Sequence, residues 1–284
     1  MSTRKECWRL IVTPPSPAAW NMACDEVLFQ LVSSAPSPVI VRFYEWRPYA
    51  VSLGRSQWPE NEIELDALRR DGYDCVRRIT GGRAVFHAEE LTYSVVCGRG
   101  HPLAAGGVHA TYERTSEALA CGLRLAGIRA ELARVTHHPS PGSACRSAPP
   151  CFGSVARSEI VVDGRKLVGS AQYRSTAAVL QHGSILTGAA HKRILEYLRV
   201  EEGVRQQYLR NLEIGTTCLR ELGWCGTTDG LIHALADGFA GHFGIVWDAD
   251  HSLAPHEMSL IDTKAHGRNC RETRYPGDMD GGNG

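Results

Sequence analysis

Cys151 directly follows Pro149 and Pro150 at the end of a proline-rich loop, upstream of a basic pair, Arg165 and Lys166. A thiol attacks as its thiolate, and nearby cations favour that form. A cysteine held where a loop enters a strand is therefore a candidate thiol nucleophile, with Arg165 and Lys166 as the candidate cations. The competing reading is one more buried cysteine among ten. Lys166 follows the Asp163-Gly164 turn and stands at the start of a strand. Just beyond it, Gly169, Ser170 and Ala171 leave room for a ligand against the backbone. The stretch 181–186, QHGSIL, repeats that style with His182 and Gly183. A third segment, RRITGGRAVFH at 77–87, joins Arg77, Arg78 and Arg83 to the pair Gly81-Gly82 and ends on His87. Consecutive glycines expose backbone N–H groups and allow close approach, so a binding loop competes here with a solvated turn. His87, a single histidine at a strand end, reads as structural more readily than as catalytic, and His182 reads as a pocket residue or as a satisfied core histidine.

Composition narrows the classes. The chain has 284 residues, with 31 Lys and Arg balancing 31 Asp and Glu, so neither nucleic acid nor an anionic membrane surface is an expected partner. No apolar run approaches the roughly 18 residues of a membrane span, and no signal-type segment follows the N-terminal basic residues, so a cytoplasmic protein is expected. Its cysteines should then be reduced. They form no Cys-x-x-Cys pair, and the histidines form no His-x-x-x-His or His-Glu-x-x-His, so no metal site is predicted. Nucleotide-binding glycine motifs are missing as well, and no cofactor is expected.

These residues need a scaffold. Alternation and β-branched content predict strands at 8–12, 39–46, 50–54, 74–80, 84–87 and 91–98, a hairpin over 159–174 with an Asp-Gly turn, and a strand over 178–188. Helical spacing predicts helices at 20–32, with Asn21 as a candidate cap, and at 61–70, 109–125, 190–212 and 228–243. Strands come in clusters with helices between the clusters, which predicts an α+β fold with a mixed, largely antiparallel sheet flanked by helices. Residues 1–247 are assigned to one catalytic domain and 248–284 to a C-terminal extension, partly disordered.

Taken in order, WNMACDEVLF, VRFYEW, SLGRSQ, RRITGGRAVFHAEELTYSVV, CFGSVARSEIVVDGRKLVGSAQYR and VLQHGSIL resemble the lipoate-protein ligase, octanoyltransferase and biotin ligase superfamily. The similarity is closest to its cysteine-dependent octanoyltransferases and covers residues 8–190, with weaker likeness to about 245. The resemblance implies the class II synthetase-like catalytic fold, Cys151 as nucleophile, and Lys166 against the reacting carbonyl. It also implies an acyl channel lined by the Gly81-Gly82 loop and its arginines. Arg83 stands where ATP-dependent ligases carry a third glycine, which argues against ATP use. The implied activity moves octanoyl from acyl carrier protein to the lysine of a lipoyl-carrier protein such as the glycine-cleavage H protein. The alternatives are an ATP-dependent lipoate ligase, an octanoyl amidotransferase between lipoyl domains, and a non-catalytic carrier-binding relative.

Overall fold

In the computed structural model of the chain, residues 5–133 and 158–268 are described, together with Cys270, Thr273 and Tyr275. The first half forms β1 (Cys7–Val12), α1 (Ala18–Ser34), β2 (Ile40–Tyr44), β3 (Ala50–Leu53), α2 (Pro59–Glu62), α3 (Leu65–Arg70), β4 (Asp74–Arg77), β5 (Val85–His87), β6 (Glu90–Gly98) and α4 (Gly107–Leu125). The second adds β7 (Glu131–Leu132), β8 (Ile160–Val162), β9 (Arg165–Arg174), β10 (Ala178–Leu186), α5 (Ile194–Tyr197), α6 (Glu202–Gly215), α7 (Thr228–Phe243), β11 (Val246–Trp247) and α8 (Pro255–Ala265). One sheet runs β11-β1-β2-β6-β10-β9-β8-β7, and a smaller one runs β4-β3-β5. In the large sheet β1 pairs parallel with β11 and β2, and every other pairing is antiparallel. The α+β expectation holds.

Period-two geometry explains the layers. Leu91, Tyr93, Val95 and Cys97 of β6 join a core shared with α4 and α7, whereas Val96 joins a second core with α1, Ile40, Ala178, Leu180 and Ile261 of α8. On the α1 side each central strand changes character partway. Val96 gives way to Ser94, Thr92 and Glu90, Leu180 to His182 and Ser184, and Ile40 to Arg42, all buried. The small sheet covers this polar half, bringing Ser52 of β3 and His87 of β5 onto it. A buried polar surface needs partners, and that requirement defines the site region.

The anchor is Asp25 on α1. Its carboxylate accepts from Arg42 of β2 at 2.9 Å, Tyr44 at 3.0 Å and Ser94 of β6 at 2.9 Å, and lies 3.0 Å from Nδ1 of His182 on β10. Arg42 is 0 % exposed and also donates to Thr13 and to Asn21. Asn21 does not cap α1. The helix begins at Ala18 after Pro17, and the Asn21 amide donates to the carbonyls of Ser16 and Glu45, because its position inside the first turn points it at the neighbouring chain.

The expected helix over 61–70 is divided: α2 ends before Ile63, which bridges Leu198 in extended backbone. Within 248–284, α8 packs its Ile261 into the α1 core. Beyond it, Arg268 donates to Glu26 of α1 at 2.6 Å and to the Arg77 carbonyl at 2.9 Å, and the Tyr275 hydroxyl lies 2.7 Å from Glu26 and 2.9 Å from the same carbonyl.

Two stability predictions follow from this packing. Asp25→Ala leaves Arg42 buried with its main anionic partner gone and is expected to lower unfolding free energy by about 3–5 kcal/mol in urea titration. A loss below 1 kcal/mol would show that Arg42 does not depend on Asp25. His191 is the second case. Burial, then the charge of Lys192, pushes its imidazole from 6.5 down to about 4. The unfolded chain takes up this proton below about pH 6.5 and the folded chain resists it, so stability falls as pH drops from 6.5 towards 4. His191→Gln is expected to remove about 3 kcal/mol of that acid-side loss. The check is urea unfolding across that pH range, where a wild-type slope would refute the assignment.

Candidate functional site

The polar half of the large sheet and the small sheet flank a narrow slot. Gly169 and Ala171 of β9 and His182 and Ser184 of β10 form its floor, with Thr92 and Tyr44 continuing across β6 and β2. Met22 of α1, Trp46, Ser52, Arg78, Val85 and His87 complete the walls. From β9 to β2 the slot crosses three strand spacings, about 14 Å. Gly183 lies between β9 and β6 with no spare room: a Cβ there would meet the Gly169 carbonyl oxygen, the Ser170 hydroxyl and the Tyr93 ring. Tyr93 donates to Ser170 at 2.7 Å, so the layer beneath the floor is also closed.

Two imidazoles are set into the walls in parallel fashion. His182 contacts Asp25 through Nδ1 and the Thr80 hydroxyl through Nε2, at 3.0 and 2.7 Å. Burial pushes its pKa below the ordinary histidine value against the opposing pull of Asp25. Burial would raise the Asp25 carboxyl, but the His182 hydrogen bond and the Arg42 charge hold it below the usual carboxylate value. A neutral His182 with Nδ1–H donating to ionised Asp25 satisfies both shifts, and Nε2 then accepts from Thr80. His87 contacts Glu90 at 2.7 Å through Nδ1 and Ser52 at 2.6 Å through Nε2, while its ring stacks on Trp46 at 3.9 Å. Glu90 also accepts from Thr92 and Ser184, at 2.7 and 2.8 Å.

Of the residues singled out by sequence, the slot collects Arg78, His87, Gly169, Ser170, Ala171, His182 and Gly183. The Arg78 guanidinium donates to the carbonyls of Ser52, Gly81 and Arg83 at 2.8–3.0 Å, so it shapes the glycine loop from inside. Gly82 has φ +96°, and a Cβ on Gly54 would fall on the Gly82 carbonyl oxygen. Gly81 and Gly82 thus pass beside β3 and stay out of the slot wall. Arg77 turns away, donating to the Thr273 carbonyl at 2.6 Å and to the Arg55 carbonyl, and lies over Trp58. Arg83 pairs with Glu62 at 3.0 Å, with 38 % of its side chain exposed.

Lys166 is 2 % exposed. Its Nζ donates to Glu159 at 2.5 Å, and its carbonyl accepts from the Thr217 N–H at 3.0 Å. It lies three residues before Gly169 along β9, about 10 Å from the slot floor by strand rise. Cys151 lies outside the described residues. None of the eight described cysteines lines the slot, and burial raises Cys24 and Cys97 to about 12. Asp25, Arg42, Glu90 and Glu159 were not singled out by sequence. Only Arg42 left a signal, a charged residue inside the otherwise apolar strand IVRFY. Among the described residues no His, Cys, Asp or Glu group is placed to hold a metal ion, and no helix is long and apolar enough to cross a membrane.

Residues 17–240 match the family model of the lipoyl protein ligase A/B catalytic domain, and the chain belongs to that family. Among its curated relatives, octanoyltransferase LipM of Kyrpidia tusciae is 40 % identical over 84 % of this chain and 88 % of its own. Octanoyltransferase LipM of Bacillus subtilis is 35 % identical over 97 % of this chain and 98 % of its own. Among solved structures, the bipartite lipoate protein ligase of Thermoplasma acidophilum superposes with a TM-score of 0.76 at 20 % identity, covering 96 % of this chain and 99 % of that one. This structural likeness supports the fold.

Gly183→Ala tests the floor. The added methyl must part β9 from β10 or move Tyr93, with an expected cost of about 1–3 kcal/mol and loss of octanoyl uptake. Thermal melting and octanoyl-adduct formation read the two effects, and a variant normal in both would show that the floor is not closed at Gly183.

Proposed function

We infer that this chain is an octanoyltransferase of lipoate biosynthesis, an acyltransferase that passes an octanoyl group to the lysine of a lipoyl-carrier protein through a thioester on Cys151. The observation that supports this reading is the slot on β9 and β10, whose described walls hold no thiol, with Lys166 about 10 Å further along β9. The undescribed residues 134–157 contain only two cysteines, Cys145 and Cys151. Of these, Cys151 is nearer the start of β8, which pairs with the strand bearing Lys166. Family membership and the names of the full-length relatives support the same activity.

In the first step the Cys151 thiolate attacks the octanoyl thioester of acyl carrier protein, and a tetrahedral oxyanion forms. The carbon–sulfur bond to the carrier breaks, and the pantetheine sulfur leaves with the proton that Cys151 gave up. In the second, the ε-amine of the acceptor lysine attacks the Cys151 thioester, an amide forms as the carbon–sulfur bond breaks, and Cys151 is released as thiolate while the amine's proton passes to water. The thioester supplies the driving force, so no nucleotide is consumed. Lys166 stabilises the thiolate and the oxyanion. The glycine-cleavage H protein is the acceptor we favour.

The test is incubation with octanoyl carrier protein without ATP, read by intact mass. A hydroxylamine-labile octanoyl adduct is expected in the wild type and none in Cys151→Ala. A strict ATP requirement, or an adduct that persists in Cys151→Ala, would overturn the mechanism. Lys166→Ala should slow adduct formation by about 10²- to 10⁴-fold, and wild-type rates would remove Lys166 from the chemistry.

A further inference from the structure

The pair formed by Glu159 and Lys166 is more than packing requires. Glu159 is 5 % exposed and Lys166 2 %, with their charged atoms 2.5 Å apart. Taking two charges out of water is costly, and apolar residues of similar size often serve stability as well or better. Buried charge retained beside a proposed acyl-transfer site therefore points to a use for the charge itself.

We propose that Glu159 is the positioning residue of the acyl-transfer step: its carboxylate holds the Lys166 ammonium in place for the reaction of the thioester. The inference rests on the reading of Lys166 given above. Three features of the backbone build this placement. Ile160 pairs with Val168 while the next residue, Val161, pairs with Lys166, so Leu167 is extra in β9. Such bulges re-aim side chains and recur beside active sites. The Glu159 carbonyl accepts from the Ala133 N–H at 2.7 Å, and the Ser158 N–H donates back to Ala133 at 3.2 Å. Glu159 thus sits in the clasp where the chain re-enters the sheet after residues 134–157. On its other flank Lys166 is bridged to Thr216, so the backbone of the lysine is fixed from both sides and only its long side chain remains to be oriented. Glu159 contributes to that orientation. It also separates two roles for Lys166: a lysine held against a carboxylate serves as a fixed cation for thiolate and oxyanion, and the proton of the acceptor amine leaves by another route.

The experiment compares full-length wild type, Glu159→Gln, Lys166→Met and the double variant in two measurements. One is the pH dependence of Cys151 alkylation by iodoacetamide, located by peptide mass. The other is the rate of octanoyl-enzyme formation at limiting and saturating octanoyl carrier protein. Glu159→Gln is expected to move the alkylation midpoint up by about one pH unit and to slow acylation at saturation by roughly 10- to 100-fold, with KM little changed. In the Lys166→Met background the same substitution should alter neither. Glu159→Asp keeps the charge and should restore most of the midpoint. A loss that persists with Asp and follows melting temperature would be structural and would overturn the proposal. So would a wild-type profile for Glu159→Gln while Lys166→Met is impaired, or a further loss on adding Glu159→Gln to Lys166→Met. If Lys166→Met itself behaves as wild type in both measurements, the reading of Lys166 fails first.

Discussion

One carboxylate organises the centre of this protein. Asp25 gathers Arg42, Tyr44, Ser94 and His182 from three strands onto a single helix. A buried anion with several donors is stable only as a complete set, since removing one partner leaves the others charged and dry. The register of β2, β6 and β10 beneath α1 is tied to that set as firmly as to the apolar core next to it. Arg42 stacks over Tyr44 at 3.8 Å, so aromatic and ionic contacts reinforce the same geometry.

From that anchor the slot follows almost by exclusion. The α1-facing positions of the central strands change from large apolar side chains to small or polar ones, and α1 cannot press down on them as it does on Val96 and Leu180. The small sheet fills the gap with its own hydrogen-bonding groups, Ser52, Arg78 and His87, in place of hydrophobic bulk. What remains is a narrow space between hydrogen-bonded polar walls and an aromatic lining, with Glu90 Oε2 buried and without a hydrogen bond among the described residues. Such walls are preorganised: His182, Glu90 and Arg78 are already bonded within the protein and hold their positions without a ligand.

Much of this was legible in the residues. Period-two alternation in 91–98 and 178–188 exposed the central strands, and the Asp163-Gly164 turn exposed the hairpin that carries Lys166. The small residues after Lys166 marked the floor of the slot, because little besides a ligand or another backbone fills the space they leave. The roles of the arginines were not legible. Arg77 and Arg78 are adjacent on an extended backbone, so they point to opposite sides, one to the slot and one to the chain's far end. Spacing could not say which was which. Nor could it reveal Asp25 and Glu159, whose partners lie on other elements and are brought close only by tertiary pairing. Asn21 failed as a cap for a local reason, since Pro17 starts the helix a turn earlier.

The strap formed by Arg268 and Tyr275 ties together segments that the ribosome makes far apart. Its partners are separated by 191 residues for the Arg77 carbonyl and 242 for Glu26. At usual elongation speeds α1 and β4 emerge on the order of 10 to 40 s before the residues that cover them. During that interval the Glu26 carboxylate and the Arg77 carbonyl have water in place of the strap. The loop after β4 is therefore among the last parts of the molecule to be locked, and nascent chains stalled short of the strap would carry the central strands without a fastened loop.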